Sequence, residues 1–279
     1  TAVAAQNDGG GVIGQVKRTT TEKHLPREVH VPGALVDAIV VAPTQEQAGG
    51  IFYDPAISGT EIKSLDEIES IGFDITKVIA RRAAMELHHY DLANLGFGIS
   101  ANVPRILMEE GLDGEVTWVI EQGPVGGFPV TGKAFGAAYN PDAIVASSDQ
   151  FILLQGGGID IALLSFMEVS QHGDVNVSLM RSTTHVTAGV GGFADITAHA
   201  KRLVFSGQFT AGRKDVRLGD GRLEIISDGK IAKFLPEVAQ ITWSGAVGAS
   251  RGQQVTYVTE RAVRSEEHTS ELQSRLQLV

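Results

Sequence analysis

The chain has no cysteine among its 279 residues. That absence excludes disulfides, thiolate nucleophiles and Cys-ligated metals, and it fits a reducing, cytoplasmic setting. Long apolar runs are missing as well. None approaches the roughly 18 residues of a membrane-spanning helix, and no signal-peptide pattern opens the chain, so no membrane partner is expected. Positive charge is scarce: 23 Lys and Arg stand against 33 Asp and Glu, a formal net charge of −10. This argues against a nucleic-acid partner, whose phosphates need neutralising. No initiator Met is present, and Thr1 reads as the start of a fragment or a processed piece. What remains is ordinary for a globular protein, 43% hydrophobic and 20% charged, enough for a sizeable core.

Residues 1–43 hold two short apolar stretches, Val12–Val16 and Ala34–Val41, separated by a polar passage with Pro26 and Pro32. Two strands with so little between them bury no core, so they read as the closing edge of a domain whose body is elsewhere. Residues 44–73 are linker-like, rich in Gln, Gly, Asp and Ser, and the domain boundary is placed there. Asp74 then reads as the N-cap of an amphipathic helix running from Ile75 to Leu87. Beyond it, strands and helices alternate. Asp91–Phe97 reads as a strand, Gly98–Asn102 as a loop and Pro104–Glu110 as a helix with Pro in its first turn. The apolar run Val116–Ile120 reads as a buried strand. Pro141–Leu154 reads as a helix ended by Gly156-Gly157-Gly158, and Ile159–Val169 as one long strand. A second glycine loop, Gly189–Phe193, leads to a short helix, then to the strands Leu203–Phe209 and Val255–Glu260. This alternation predicts an α/β fold with an open, mostly parallel, layered sheet.

The stretch that carries chemistry is Val116–Gly127, V-T-W-V-I-E-Q-G-P-V-G-G. Its strand ends on Glu121, and Gly123, Gly126 and Gly127 follow around Pro124. In open α/β sheets, ligands bind beyond the carboxyl ends of strands. Glu121 is therefore a candidate active-site carboxylate, with a solvated turn acid as the plain alternative. Gly96-Phe-Gly98-Ile-Ser-Ala101 matches a dinucleotide fingerprint with Glu121 at ribose-clamp spacing. Asn102 and Pro104 suit close pyrophosphate packing poorly, however, and a glycine loop at a helix start serves any phosphate-bearing ligand. His88-His89-x-Asp91 lacks a third ligand at metal spacing, and His172, His185 and His199 stand alone, so no metal site is assigned. There is no G-x-S-x-G elbow. The chemistry falls to a carboxylate with backbone donors, and covalent catalysis through an acyl-glutamyl anhydride, its oxyanion held by glycine-loop N–H groups, is one established possibility for such a site. Glu121 with Gly191 and Gly192 fits, provided folding joins the two loops.

Several linked motifs carry a resemblance. Glu121–Pro129 (E-Q-G-P-V-G-G-F-P), Tyr139–Ala143, Gly156–Asp160, Gly189–Ile196, Gln208–Arg213 (Q-F-T-A-G-R) and Gln253–Arg261 (Q-Q-V-T-Y-V-T-E-R) resemble the glutamate-dependent CoA-transferases. The single-chain acetate/propionate (short-chain acyl) group is the nearest, and the resemblance extends from Val12 to Val263. It implies the NagB/RpiA-like version of the layered α/β sheet. It also implies Glu121 as nucleophile, Gly191 and Gly192 as backbone oxyanion donors, and CoA contacts from Gly98, Ile99, Ser100, Ala101 and Asn102, with Gly157 and Gly158 added to that set. Arg213 or Lys214 is placed near a CoA phosphate. Acyl-CoA and a short-chain carboxylic acid are the implied partners, coenzyme A being a substrate with no permanently bound cofactor.

The family is built from two related α/β halves, and full-length members are homo-oligomers. On that plan residues 1–43 are the remnant of the first (alpha) half, 44–73 the linker and 74–263 the catalytic (beta) domain. The family's glutamine oxyanion donor lies in the first half, so this piece alone is expected to turn over little. An acyl-CoA hydrolase, a non-catalytic CoA- or nucleotide-binding module and a sugar-phosphate isomerase on the same fold are the alternatives. Residues 264–279 break the pattern. Arg264–Ser274, R-S-E-E-H-T-S-E-L-Q-S, resembles the translation of a sequencing-adapter oligonucleotide, and a poorly packed, exposed tail is expected there.

Overall fold

The structure, a computed structural model, describes residues 2–181, 188–266 and 277–278. His185 and tail residues 267–276 and 279 lie outside the described residues. The chain divides into two units, Thr1–Asp54 and Pro55–Val279, and the division falls within the 44–73 passage.

In the first unit, β1 (Ile13–Val16) and β2 (Ala38–Val41) pair in parallel, Ile13 opposite Ala38. Asp37 fixes the entry to β1 by accepting the Val12 N–H at 2.7 Å. Parallel strands are normally covered on both faces. Here Ile13 and all four residues of β2 are exposed, although their composition is that of a sheet interior.

The second unit begins with α1 (Ile75–Ala84). Asp74 caps it, its side chain accepting the Lys77 N–H at 2.9 Å. Then follow β3 (Leu92–Leu95), α2 (Val103–Glu109), β4 (Thr117–Val119), β5 (Pro124–Val125), β6 (Ala143–Ile144), α3 (Ser147–Gln155) and β7 (Ile161–Ser165). The chain continues through α4 (Phe193–His199), β8 (Arg202–Ser206), α5 (Gly245–Ser250), β9 (Gln254–Val258) and β10 (Ala262–Glu266). The main sheet runs β6-β5-β4-β3-β7-β8-β9-β10, with Gln277–Leu278 beyond β10. The central strands β4, β3, β7, β8 and β9 are parallel, and the pieces on either flank are antiparallel.

Side-chain alternation builds two cores. Ile161 and Leu163 of β7, Val204 of β8 and Val258 of β9 face the layer of Ile79, Ala83, Val103 and Ile106 from α1 and α2. Their neighbours Ala162, Leu164, Leu203, Phe205, Val255 and Tyr257 face Leu154, Phe193 and Ile196 from α3 and α4. Both faces of the parallel strands are buried, which is why they read as continuous apolar runs and not as alternating ones. After β3 the chain passes to β4, then returns across β3 to begin β7 on its other side. Strand order therefore reverses between β3 and β7, and a crevice opens beyond the carboxyl ends at such a point.

Several sequence expectations are corrected. Ile159–Val169 is not one strand. After Ser165 the chain leaves the main sheet, and Glu168–Ser170 pairs with Val175–Asn176 and Phe234–Leu235 in a separate small sheet. Pro141–Leu154 is not one helix either. Ala143–Ile144 pairs with Pro124–Val125, and the helix starts only at Ser147. The first tail residues are not loose: β10 continues through Glu266, with Arg264 half-buried opposite Tyr257 of β9.

Candidate active site

Glu121 sits at the first corner of the tight turn that joins β4 to β5. The Gly123 N–H donates to Ile120 O at 2.9 Å and the Ile120 N–H to Pro124 O at 3.0 Å. Gly123 has φ +128°, and a Cβ there would lie 2.3 Å from Val145 O. That glycine, with Gly126 and Gly127, makes room for the returning 139–145 segment instead of offering its N–H to a ligand. Polar side chains that the sequence reading passed over brace the turn. Gln150, 1% exposed, donates Nε2 to Ile120 O at 3.1 Å and to Pro124 O at 3.4 Å. Ser147 Oγ donates to Glu121 O at 3.1 Å, and Asn94 Nδ2 to Val119 O at 2.8 Å. The only signal for Gln150 in the sequence is a lone amide ahead of the apolar Phe151–Leu154, and reading 141–154 as one helix hid it.

Folding joins the two glycine loops. The Gly192 N–H donates to the Glu121 carboxylate, and Gln122 Nε2 donates to Glu121 Oε1 at 3.2 Å. A Cβ on Gly192 would lie 2.5 Å from Glu121 Oε2, and one on Gly191 3.3 Å from Oε1. Glu121 is half-buried. Burial pushes its pKa above the ordinary carboxylate value, and Asp195 nearby pushes the same way. The Gly192 and Gln122 hydrogen bonds oppose that rise without cancelling it. A carboxylate that is desolvated yet held by donors is the usual electrostatic mark of a functional group in a cleft.

The carboxylate opens on a cavity of about 430 Å³ at the strand reversal. Gly96, Phe97 and Gly98 after β3, Glu121 and Gln122 after β4, and Ser165, Phe166 and Met167 after β7 line it, with Val190 and Gly191 from the second loop. Phe97 and Phe135 meet edge-to-face across the lining, ring centroids 5.5 Å apart.

The structure brings together Glu121, Gly191 and Gly98, with Gly192 against the carboxylate. Ile99, Ser100, Ala101 and Asn102 form the 3-10 turn behind Gly98 and lie outside the lining. Ser100 and Ala101 are buried there, with Ser100 Oγ 3.4 Å from Ser165 Oγ. Gly157 and Gly158 do not join the site. They follow α3 at the amino end of β7, the opposite end from the cavity, and Gly157 at φ +75° terminates the helix. Lys214 is committed elsewhere: its ammonium, 10% exposed, meets Glu260 Oε1 at 3.2 Å and Thr210 O at 3.2 Å. Arg213 is exposed. Among the described residues no group of three His, Asp or Glu is placed to hold a metal ion, and no helix is long and apolar enough to cross a membrane.

No protein-family model matches the chain. Caffeate CoA-transferase of Acetobacterium woodii is 41% identical over 268 residues, 94% of this chain and 51% of that protein. Acetate CoA-transferase YdiF of Escherichia coli O157:H7 is 39% identical over 266 residues, 94% of this chain and 49% of the relative. The crystal structure of the acyl-CoA transferase YdiF apoenzyme from that organism matches with TM-score 0.84 at 36% identity, covering 100% of this chain and 51% of that one. A crystal structure of its thioester complex with CoA matches with TM-score 0.82, over 96% of this chain and 49% of that one. The chain thus spans about half the length of these relatives. Identity at this level over almost the whole chain, on a shared mixed α/β sheet, makes the chain a member of the CoA-transferase family.

Proposed function

We propose that the chain carries the glutamate-bearing half of an acyl-CoA:carboxylate CoA-transferase that works through Glu121. The observation that supports this best is the Glu121 carboxylate itself, half-buried at the strand reversal, raised in pKa by burial and held by the Gly192 N–H. Desolvation makes a carboxylate more basic and a better nucleophile. Glu121 attacks the thioester carbonyl of acyl-CoA, and the tetrahedral intermediate collapses to a mixed anhydride with departure of the CoA thiolate. The thiolate then attacks the glutamyl carbonyl of the anhydride, which gives a glutamyl-CoA thioester and frees the first carboxylic acid as its carboxylate. A second carboxylate displaces CoA from Glu121 to form a new anhydride. Thiolate attack on its acyl carbonyl then yields the new acyl-CoA and restores the Glu121 carboxylate.

In this scheme the Gly192 N–H bonds the resting carboxylate and, when the thiolate or the second carboxylate attacks the glutamyl carbonyl, the negative charge that develops on its oxygen. One such donor contributes roughly 3–4 kcal/mol to a barrier. Gly98 borders the CoA path, and the turn Ile99–Asn102 holds that loop in place. The substrates are acetyl-, propionyl- or similar short-chain acyl-CoA and a free short-chain acid. A preceding half supplies the rest of the site, with β1 and β2 as its last strands. The whole enzyme is a cytoplasmic homo-oligomer.

The test is a chimera in which this chain replaces the matching half of the E. coli O157:H7 relative. After incubation with acetyl-CoA and borohydride, peptide mapping is expected to find modified Glu121, lost in E121Q, with CoA turnover that depends on added carboxylic acid. Turnover without added acid would make the protein a hydrolase. Full turnover in E121Q would overturn the proposal. The 279-residue chain alone is expected to show no stoichiometric labelling.

A further inference from the structure

A second concavity, of about 460 Å³, shares one lining residue, Met167, with the Glu121 cavity. Its walls are Leu179 and Met180 on one side and Ala211, Ile231 and Ala232 on the other. The last three come from the antiparallel pair Thr210–Ala211 and Ile231–Ala232. The charged groups at its edge are turned toward protein partners. Glu168 accepts from Arg181 Nε at 2.9 Å, from Asn176 Nδ2 at 2.9 Å and from the Ala239 N–H at 2.6 Å. Burial pulls the Glu168 pKa up, but these donors outweigh it and hold the carboxyl below its ordinary value. Lys233 Nζ donates to Phe166 O at 2.9 Å. What faces the space is therefore mostly hydrocarbon and thioether. Met180 is 45% and Ile231 58% exposed, apolar surface that an apolar occupant would take from water.

We infer that this concavity is a chamber for the nonpolar tail of the transferred acid, with Met167 as the side chain that sets how the tail passes from Glu121 into it. The inference rests on the proposed function and widens its acid class, from two- and three-carbon acids to acids with a longer hydrocarbon tail. The geometry suits such a ligand because its two ends need opposite surroundings. The carboxyl or thioester carbon belongs at Glu121, where donors are available. The tail belongs past Met167, where Glu168 and Lys233 are held by protein partners and the remaining charge, the 55% exposed Arg181 side chain, is paired to Glu168. A thioether is the flexible, polarisable group suited to a wall that adapts to tails of different shape.

The experiment is calorimetric titration of the chimera described above, in which the preceding half of the site is present, with acetyl-CoA, octanoyl-CoA and octanoate, in the unsubstituted form, A232W and A211W. Ala211 and Ala232 line the chamber and not the Glu121 cavity, so a tryptophan at either is expected to occupy the chamber. Ala232 is exposed, which makes A232W the variant less able to disturb folding, and circular dichroism checks both. Each methylene buried from water tightens binding roughly fourfold. Octanoyl-CoA is thus expected to bind the unsubstituted chimera at least tenfold more tightly than acetyl-CoA, and A232W to bring the two within about threefold. Equal binding of the two esters by the unsubstituted chimera would overturn the chamber and leave the CoA-transferase reading standing. Octanoate binding that A232W abolishes, with no binding of either CoA ester, would uphold the chamber and sink that reading. If none of the three ligands binds, both fall.

Discussion

Gly192→Ala tests whether the second glycine loop acts on Glu121. The backbone at Gly192 has φ −79° and accepts any residue, so the cost is one of contact alone. The new Cβ would lie 2.5 Å from Glu121 Oε2 and 2.8 Å from Phe151 Cε1. Phe151 packs against the core between the sheet and α3–α4 and yields little. The carboxylate, at the end of a flexible side chain, is what moves, and in moving it loses the Gly192 N–H. Overpacking costs roughly 1–3 kcal/mol. A hydrogen bond to a charged group is worth about 1.5–3 kcal/mol, partly recovered here from water in the cavity. The net loss expected is about 1–2 kcal/mol, and each kcal/mol lowers Tm by roughly 2–4 °C in a domain of this size. The assay is a double-mutant cycle in urea, with G192A measured in wild-type and E121A backgrounds. With Glu121 truncated the first clash disappears, so G192A is expected to cost less than half as much there. An equal cost in both backgrounds would show that the Glu121–Gly192 contact is not what constrains the loop, and would remove the geometric basis for Gly192 as a donor.

Glu121 also makes stability depend on pH. Its folded-state pKa is raised, chiefly by burial, so its favourable contribution is full below the unfolded value of about 4.3. That contribution is lost as pH rises through the folded pKa. E121Q is therefore expected to melt higher than wild type at pH 7.5, with the gap closing by pH 4, as calorimetry at both pH values will show. In Q150L, Ile120 O and Pro124 O lose their Gln150 donor but keep backbone partners, so about 1–2 kcal/mol is expected to go. Hydrogen exchange at the Gly123 N–H should speed up as the turn that carries Glu121 loosens. Arg202 reaches Asp91 and Glu86 O at the amino ends of the strands, with side chains 17% and 7% exposed for the Arg–Asp pair. R202M leaves a buried carboxylate without its cation and is expected to cost about 3 kcal/mol in urea unfolding, with D91N in the same chain restoring part of it.

Much of the local structure was legible without coordinates. β3, β4, β7, β8 and β9 stand out because both faces of a parallel strand are buried, leaving unbroken apolar runs such as Ile161–Ser165. Asp74 announced α1 through its capping oxygen, and the acid that ends β4 was visible as the one charge closing V-T-W-V-I. The linked motifs around Glu121 and Gly189–Ile196 also indicated the family, and the comparisons bear that out.

Other features depended on contacts between distant parts of the chain. Apolar content over Ile159–Val169 is continuous, yet hydrogen bonds from Val175–Asn176 and Phe234–Leu235 draw Glu168–Ser170 into another sheet. Gly157 and Gly158, read from the sequence as a helix stop and given a CoA contact only by resemblance, end α3 at the amino end of β7, away from the cavity. Gly123, Gly126 and Gly127 are glycines because a returning segment presses on them, which no pattern within the motif reveals. By itself the sequence determined the central parallel strands and the capped start of α1, since capping and apolar runs act between near neighbours, and its linked motifs pointed to the family and to Glu121 by resemblance. Tertiary structure alone decided the strand reversal between β3 and β7, the meeting of Gly192 with Glu121 and the burial that raises its pKa. Those follow from packing residues far apart in the chain, where dielectric, donor geometry and space are set.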